Sequence, residues 1–369
     1  MAYKVSGTTN DSARIIVINE GDWSVESYGI KAPIAFEVDS LVSGTKTIIA
    51  RANSGEVLAY GNTNSIYYES FQIGDKWIER APSFESQTAI WDIVAFDGEM
   101  YGGSSPDGKL LKWNGTDAWV EVAPQLGSEI WIMSLIVFDN KIFAGTYPTG
   151  RLYEWNGSNA WIERAPQFGT EQRIYSLCEF NGELYGGTRA GGKLLKWNGT
   201  DAWVEAAPQF GTETFIWSLT VFNNKIYAGT YNGAKLLEWN GTNAWVEVAP
   251  QLGTADNIFC TIVFNNKLYG GNGGGFGGGS LLEWNGTNAW VEVAPPLGTE
   301  GNIYSLCEAD GKLYGGTSGN ALLYEWNGTD AWVEVAGDIG EANVYDLETL
   351  EGKLYGSTRY GAKLLEWGV

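Results

Sequence analysis

From residue 76 onward the chain alternates short apolar runs with turns rich in asparagine and glycine. The runs of one unit are IYSLCEF (174–180), ELYGGT (183–188), KLLKW (193–197) and AWVEAAP (202–208). Asn-Gly pairs follow the first and third runs, and these residues tolerate the left-handed backbone of tight hairpins. The pattern therefore predicts four antiparallel strands per unit, here called A to D.

The strand-D run recurs seven times, each time with a tryptophan near its start: Trp77, Trp119, Trp161, Trp203, Trp245, Trp290 and Trp332. The spacing is 42 residues, except for one interval of 45. Four strands in about 42 residues match the size of a β-propeller blade. The first repeat element is a strand D (76–82) and the last is a strand C (363–367). Pairing these two would close the ring and protect its edges.

Residues 1–70 lack this repeat, but apolar runs at 13–18, 34–38, 46–52 and 55–61 predict further strands. The predicted fold is all-β: a seven-bladed β-propeller of four-stranded antiparallel blades, closed by an N-terminal outer strand and preceded by a small β-sandwich. We place the sandwich at 1–70 and the propeller at 71–369. A domain of about 70 residues is marginal alone, so we expect it to act as a tether or docking domain.

Several motifs resemble known families. The Gly-Gly after strand B (102–103, 186–187, 270–271 and 315–316), the aromatic before it and the late Trp followed by Ala-Pro resemble kelch repeats. Two copies have Ala-Gly instead, at 144–145 and 228–229. Their regularity and Trp content are similar to propeller lectins of the tachylectin type. ARIIVI and FEVDSLVSGTKTIIA resemble carboxypeptidase-regulatory-like or transthyretin-like β-sandwich modules, which implies a tethering role for residues 1–70.

Composition narrows the function. The formal net charge of −21 repels phosphate backbones, so nucleic acid is not an expected partner. No stretch approaches the roughly 20 apolar residues that span a bilayer, so membrane insertion is not expected. The N-terminus has no apolar signal-peptide core, which predicts cytoplasmic synthesis, with a virion or extracellular particle as a further location.

Candidate chemistry is sparse. The chain has no histidine, which removes the commonest general base and the usual zinc ligand. We therefore predict no catalytic residue, no metal site and no cofactor. The glutamate that recurs on every strand D is interpreted as structural, because a catalytic acid need occur only once. A recurrent acid in the D–A loops (Glu85, Glu129, Glu171, Glu213, Asp256, Glu300 and Glu341) is interpreted as a solvated rim.

The copies differ most in their B–C loops, which strand order places on the same face as the D–A loops. Tyrosine and arginine on loops over a rigid scaffold are typical contact residues. The predicted ligand-binding residues are Tyr147, Arg189, Tyr231, Phe276, Arg359 and Tyr360. The rival site is the invariant hairpin WNG(T/S)(D/N)AW, whose tryptophans either stack on sugars or pack between blades. Its six Asn-X-Ser/Thr sequons are explained by turn chemistry.

Two functions remain. The first is a non-enzymatic binding protein whose propeller face recognises a glycan or a protein surface. The alternative is a structural or attachment component of a larger assembly, such as a phage or injection-system particle, docked through residues 1–70.

Overall fold

The structure is a computed structural model that describes side chains for residues 77–273, 278–297, 301–337 and 339–367. For Lys76, Gly368 and the strands before residue 68 it describes the backbone only. The chain divides into two compact units. One comprises Met1–Lys76 with Trp367–Val369, and the other comprises Trp77–Glu366. None of the described segments is a helix that could cross a bilayer.

The N-terminal strands are Tyr3–Thr9 (β1), Ala13–Asn19 (β2), Val25–Ile30 (β3), Ile34–Leu41 (β4), Lys46–Ala52 (β5), Val57–Asn62 (β6) and Ser65–Tyr67 (β7). Strands β1 and β4 form an antiparallel pair, and a second sheet has the order β3-β2-β5-β6-β7. Strands β2, β4, β5 and β6 overlap the four predicted apolar runs. The sandwich arrangement and its boundary at residue 70 stay predictions.

Strand β8 is Lys76–Ala81, and the strands of the repeats follow it. Repeats 1 and 2 contain Ala89–Phe96 (β9), Glu99–Ser105 (β10), Leu110–Trp113 (β11), Trp119–Ala123 (β12), Trp131–Phe138 (β13), Lys141–Tyr147 (β14), Leu152–Trp155 (β15) and Trp161–Ala165 (β16). Repeats 3 and 4 contain Arg173–Phe180 (β17), Glu183–Arg189 (β18), Leu194–Trp197 (β19), Trp203–Ala207 (β20), Ile216–Phe222 (β21), Lys225–Thr230 (β22), Leu236–Trp239 (β23) and Trp245–Ala249 (β24).

Repeats 5 and 6 contain Asn257–Phe264 (β25), Lys267–Gly273 (β26), Leu281–Trp284 (β27), Trp290–Ala294 (β28), Ile303–Ala309 (β29), Lys312–Thr317 (β30), Leu323–Trp326 (β31) and Trp332–Ala336 (β32). Repeat 7 contains Asn343–Leu350 (β33), Lys353–Arg359 (β34) and Leu364–Gly368 (β35). Repeats 2 to 6 each form a separate four-stranded antiparallel sheet in the order A-B-C-D.

The last repeat joins the first and also takes up β8. Strands β9–β12 are one end of an eight-stranded sheet that continues through β34 and β35 to β8, while β33 pairs with β34. Arg80 of β8 donates two hydrogen bonds to the Glu366 carboxylate of β35, at 3.0 and 2.9 Å. The indole N–H of Trp77 donates to the carbonyl of Ala321, in the repeat before. The sequence predicts this pairing, because the repeats begin with a strand D at 76–82 and end with a strand C at 363–367.

The Gly-Gly pair on strand B has a packing role at each of its two positions. A Cβ added at Gly186 would lie 3.1 Å from Cη2 of Trp203, on strand D of the same repeat. A Cβ added at Gly187 would lie 2.5 Å from Cγ2 of Ile216, on strand A of the next repeat. The first glycine therefore makes room for the strand-D tryptophan. The second lets neighbouring sheets approach each other.

The tryptophans of the C–D hairpin pack inside and between repeats. Five of the seven on strand D are at most 5% exposed: Trp77, Trp119, Trp203, Trp245 and Trp290. Six of those on strand C lie against a strand-B aromatic of the preceding repeat, as Trp239 does against Tyr185 with ring centroids 5.3 Å apart. The hairpin turn is held by its asparagine: Asn198 Oδ1 accepts the backbone N–H groups of Thr200, Asp201 and Ala202. The sequons thus coincide with turn chemistry.

Candidate functional site

The first strands of the repeats surround a cavity of about 510 Å³. Residues from β9, β13, β17, β21, β25, β29 and β33 line it. Each of these strands lies beside the A strand of the next repeat, and β33 lies beside β9. On each strand a buried Ile or Val is followed by the residues that face this cavity, of which Ile174 and Tyr175 are one example.

A belt of aromatic side chains forms the wall of the cavity. Its members are Trp91, Trp131, Tyr175, Trp217, Phe259, Tyr304 and Tyr345. From Trp131 through Trp91 round to Tyr175, neighbouring ring centroids are 4.3 to 5.1 Å apart. Trp91 is stacked on Tyr345 on one side and on Trp131 on the other, so neighbouring rings cover it. Aromatic pairs at such distances contribute about 0.5 to 1.5 kcal/mol each beyond the area they bury.

Repeat 2 breaks the regularity of the belt, and Arg173 fills the break. Met133 occupies the position where the other repeats carry an aromatic residue, and Trp131 stands two residues earlier. The Arg173 guanidinium carbon is 4.8 Å from the Trp131 ring centroid and 5.4 Å from that of Tyr175. Arg173 also donates a hydrogen bond to the Tyr175 hydroxyl. A cation over aromatic faces is favourable, so Arg173 joins the two ends of the belt.

The predicted B–C residues lie beside this belt. The Tyr147 ring centroid is 4.6 Å from that of Trp131 and 4.0 Å from the guanidinium carbon of Arg173. Tyr231 lies edge-on to Phe215, with centroids 4.6 Å apart, and the guanidinium of Arg189 lies over the same Phe215 ring at 4.5 Å. The structure thus brings Tyr147, the last residue of β14, and Tyr231, which directly follows β22, to the rim of one cavity although they belong to repeats 2 and 4.

Repeat 7 contributes Arg359 and Tyr360 to the same rim. Arg359 Nη1 donates a 2.9 Å hydrogen bond to the Tyr345 hydroxyl, and its guanidinium carbon lies 4.7 Å from the Tyr360 ring centroid. Tyr360 is 66% exposed. The sixth predicted residue, Phe276, lies outside the described residues.

The belt itself escaped the sequence-based prediction, although a signal was present. In six repeats the residue after the first Ile or Val of strand A is aromatic, as with Trp217 after Ile216. An apolar run gives no indication of which members face a channel and which face a neighbouring sheet. The bulge between Ile216 and Ser218 turns this position toward the cavity.

One residue further along each strand A, the cavity is lined by small polar side chains and two aspartates. Ser176 and Ser305 are among them, and their hydroxyls have no hydrogen-bond partner among the described residues. The carboxyls of Asp92 and Asp346 are hydrogen-bonded to each other. Burial and the adjacent Asp92 charge raise the pKa of Asp346 well above its usual range. Burial is also the main reason that the pKa of Asp92 is raised, to about 6.

Both aspartates also tie neighbouring repeats together. Asp92 Oδ2 accepts the backbone N–H of Leu135 at 2.6 Å, and Asp346 Oδ2 accepts that of Ile93 at 3.0 Å. Two residues along from Asp346, burial first and the Asp346 charge second raise the pKa of Glu348 to about 7. Three raised carboxyl pKa values therefore cluster where repeats 7 and 1 meet.

The expectation of a solvated acidic rim in the D–A loops was wrong for four of the seven acids, whereas Glu85 and Asp256 are exposed as expected. Glu129, Glu171, Glu213 and Glu341 are all buried. They hold the B–C loops in place; for example, Glu171 Oε2 accepts the backbone N–H of Gly191 at 3.0 Å. The position equivalent to Glu129 in repeat 1 is Gln87 rather than the exposed Glu85. Glu300 lies outside the described residues.

The strand-D glutamates and the cysteines have structural surroundings. Glu205 pairs with Lys193 and Glu247 with Lys235, at 2.5 and 3.0 Å. Cys178 and Cys307 are free thiols, and burial raises the pKa of both. The part of the chain that the structure describes contains no group of three His, Cys, Asp or Glu side chains that could hold a metal ion.

No protein-family model matches the chain, and no curated protein sequence matches it significantly. Solved structures do match. A catalytically inactive variant of virginiamycin B lyase from Staphylococcus aureus, with quinupristin, has a TM-score of 0.68 at 12% identity. The match covers 80% of this chain and 99% of that one. The WD40 β-propeller domain of Doa1 has a TM-score of 0.59 at 13% identity, covering 79% and 97%.

With the sheet order above, these matches decide the fold. The chain contains a multi-bladed β-propeller of four-stranded antiparallel blades. A third match is the extracellular domain of a putative hybrid two-component system from B. thetaiotaomicron, with a TM-score of 0.62 at 15% identity. That match covers 79% of this chain and 39% of the other. At such identities the likeness concerns the propeller fold alone, because one fold hosts many functions.

Proposed function

We propose that the protein is a non-enzymatic binding protein, and that its B–C loop face recognises a glycan or a protein surface at the mouth of the central cavity. The observation that carries this proposal is the convergence of Tyr147, Tyr231, Arg359 and Tyr360 on the rim of one aromatic-walled cavity. Concave sites with aromatic walls and a few polar groups are typical of ligand binding.

The proposal includes the complete ring. We infer seven blades of kelch-like type, with β8 as the outer strand of the last blade and residues 1–70 as a docking sandwich. Support comes from the order β34-β35-β8 and from the continuous belt around the cavity. A closed ring would hold the loops of different blades in fixed positions, which lowers the entropy cost of binding.

The cavity groups favour binding over catalysis. The carboxyls of Asp92 and Asp346 are hydrogen-bonded to each other and to backbone N–H groups of neighbouring blades, so they hold adjacent blades together. Among the solved neighbours are lyases, so enzyme activity belongs to this fold in other chains. No observation in the described residues favours the particle-component alternative, which stays a prediction.

The test is binding by a variant in which Tyr147, Tyr231 and Tyr360 are changed to alanine. A glycan array and calorimetry with any glycan that binds should give one site per chain for the unchanged protein, and at least tenfold weaker binding for the variant. The matched control changes the exposed strand-D residues Val120, Val204 and Val246 to alanine and should bind normally.

A stoichiometry near seven with unchanged binding by the tyrosine variant would transfer the site to the Trp hairpins. The burial of their strand-D tryptophans argues against that outcome. Melting temperatures of both variants, compared with the unchanged protein, separate loss of contact from loss of fold.

A further inference from the structure

The distribution of unpaired positive charge singles out the cavity mouth. The chain has 44 acidic and 23 basic residues. Among the described side chains, every lysine and arginine except three lies within ion-pair distance of a carboxylate. The three exceptions are Arg173, Arg189 and Arg359. In a protein with about twice as many acidic as basic residues, an arginine without a carboxylate partner is unusual, so the position of these three is informative.

All three arginines lie at one end of the cavity. Arg173 and Arg359 line it, and Arg189 is the cross-strand partner of Arg173 in the register of β17 and β18. Like charges directly opposite each other on a sheet are destabilising. Their partners within the protein are aromatic rings: Trp131 and Tyr147 for Arg173, and Phe215 for Arg189. A ring face holds a guanidinium in position without neutralising its charge.

Arg173 retains unused hydrogen-bonding capacity. Its Nη1 donates to the Tyr175 hydroxyl, while its buried Nε has no acceptor among the described residues. A buried donor left unpaired is costly, and a carboxylate is the acceptor that matches the planar guanidinium fork. Deeper in the same cavity, the unpartnered hydroxyl of Ser305 belongs to a side chain that is only 4% exposed. The Asp92–Asp346 pair lies at that level too.

We propose that the cavity binds an acidic saccharide, with the sugar carboxylate on Arg173 and the sugar hydroxyls on the serine and aspartate level below. This inference rests on the proposed function and deepens it by naming the ligand class. Arg359, on the opposite side of the ring, and Arg189 add to the positive field at the mouth. Because neighbouring rings cover both sides of Trp91, charge and hydrogen bonding contribute more than stacking at that point of the wall.

The probes are oligosaccharides ending in glucuronic acid or sialic acid, each compared with the same oligosaccharide after reduction of its carboxylate to an alcohol. The full chain should bind at least one acidic probe about tenfold or more tightly than its reduced form, since a charge-assisted pair is lost. Arg173→Gln should remove that preference, and Arg173→Lys should restore part of it, since lysine keeps the charge but not the fork. Lys196→Gln changes net charge equally at the surface pair with Glu183 and should bind as the unchanged protein does.

Equal affinity for an acidic probe and its reduced form would overturn the inference while leaving the glycan-binding function intact. Binding of a poly-glutamate peptide, with no saccharide bound, would overturn the saccharide assignment in favour of an acidic protein partner. Failure of every probe, together with failure of neutral glycans on the array, would overturn both the inference and glycan recognition. If the Arg173→Gln protein keeps the full preference for the carboxylate and an unchanged melting temperature, Arg173 is not part of the binding site.

Discussion

The carboxylate of Asp346 accepts the backbone N–H of Ile93 at 3.0 Å, across the junction between the last blade and the first. Two residues further along β33, Glu348 lies close enough to Asp346 for the charge of Asp346 to raise its pKa. The junction therefore combines a hydrogen bond that connects the two blades with carboxyl groups that resist ionisation.

Stability should fall as pH rises through the titration of Glu348. Its pKa in the folded protein is about 7, against an ordinary value of 4.5, so between these values the folded state binds more protons than the unfolded state. The stabilisation that this group contributes to the folded state is complete below pH 4.5 and is lost by about pH 7. Glu348→Gln should raise the free energy of unfolding at pH 8 by on the order of 1 to 2 kcal/mol and flatten this pH dependence.

Denaturant unfolding at pH 5, 6, 7 and 8 measures the effect. Glu292→Gln, at an exposed strand-D position, is the matched control and should leave the slope unchanged. A Glu348→Gln protein with the same pH slope as the unchanged chain would show that Glu348 ionises normally.

The two glycines of the strand-B pair should respond differently to alanine. At Gly187 an added Cβ would meet Cγ2 of Ile216 at 2.5 Å and Oγ of Ser176 at 2.7 Å, so Gly187→Ala should destabilise by about 2 kcal/mol or more. Gly186→Ala should cost less, because alanine already occupies the equivalent positions at Ala144 and Ala228. Equal losses in chemical denaturation would contradict the packing assigned to each glycine.

Deletion of residues 1–82 should leave strand β35 without its outer neighbour. We expect a lower melting temperature, a less cooperative transition and aggregation, because an unpaired sheet edge is exposed. Deletion of residues 1–70 keeps β8, with Arg80 still available to Glu366, and should preserve the melting of the propeller. If both truncations melt like the full chain, β8 does not close the ring.

The propeller could be predicted because the residues that form its turns and pack its strands recur almost unchanged in every repeat. Asn198 and Gly199 indicate a hairpin on chemistry alone, and the spacing of the tryptophans counts the units. The multi-bladed fold of four-stranded antiparallel blades is confirmed. Its kelch-like type stays a prediction.

The site was predictable only in part. Variation between copies pointed to Tyr147 and Tyr231, which do lie on the cavity rim. The belt was missed because Trp217 in an apolar run looks like an ordinary core residue until the bulge beside Ser218 is known. The burial of most D–A acids was not predicted. In repeat 1 the position equivalent to Glu129 holds Gln87, and Glu85 lies two residues before it. Burial of a carboxylate such as Glu129 also depends on a loop from another part of the repeat.

The substitution of Met133 into the belt has a consequence for the number of ways in which a ligand can be seated. A ring of seven identical copies offers seven equivalent orientations to an asymmetric guest, and choosing one of them costs about 1 kcal/mol of statistical freedom. By replacing one aromatic and placing Arg173 in the break, the chain makes one direction across the ring different from the other six. The break at Met133 and Arg173 thus gives the aromatic belt a direction that its other positions do not share.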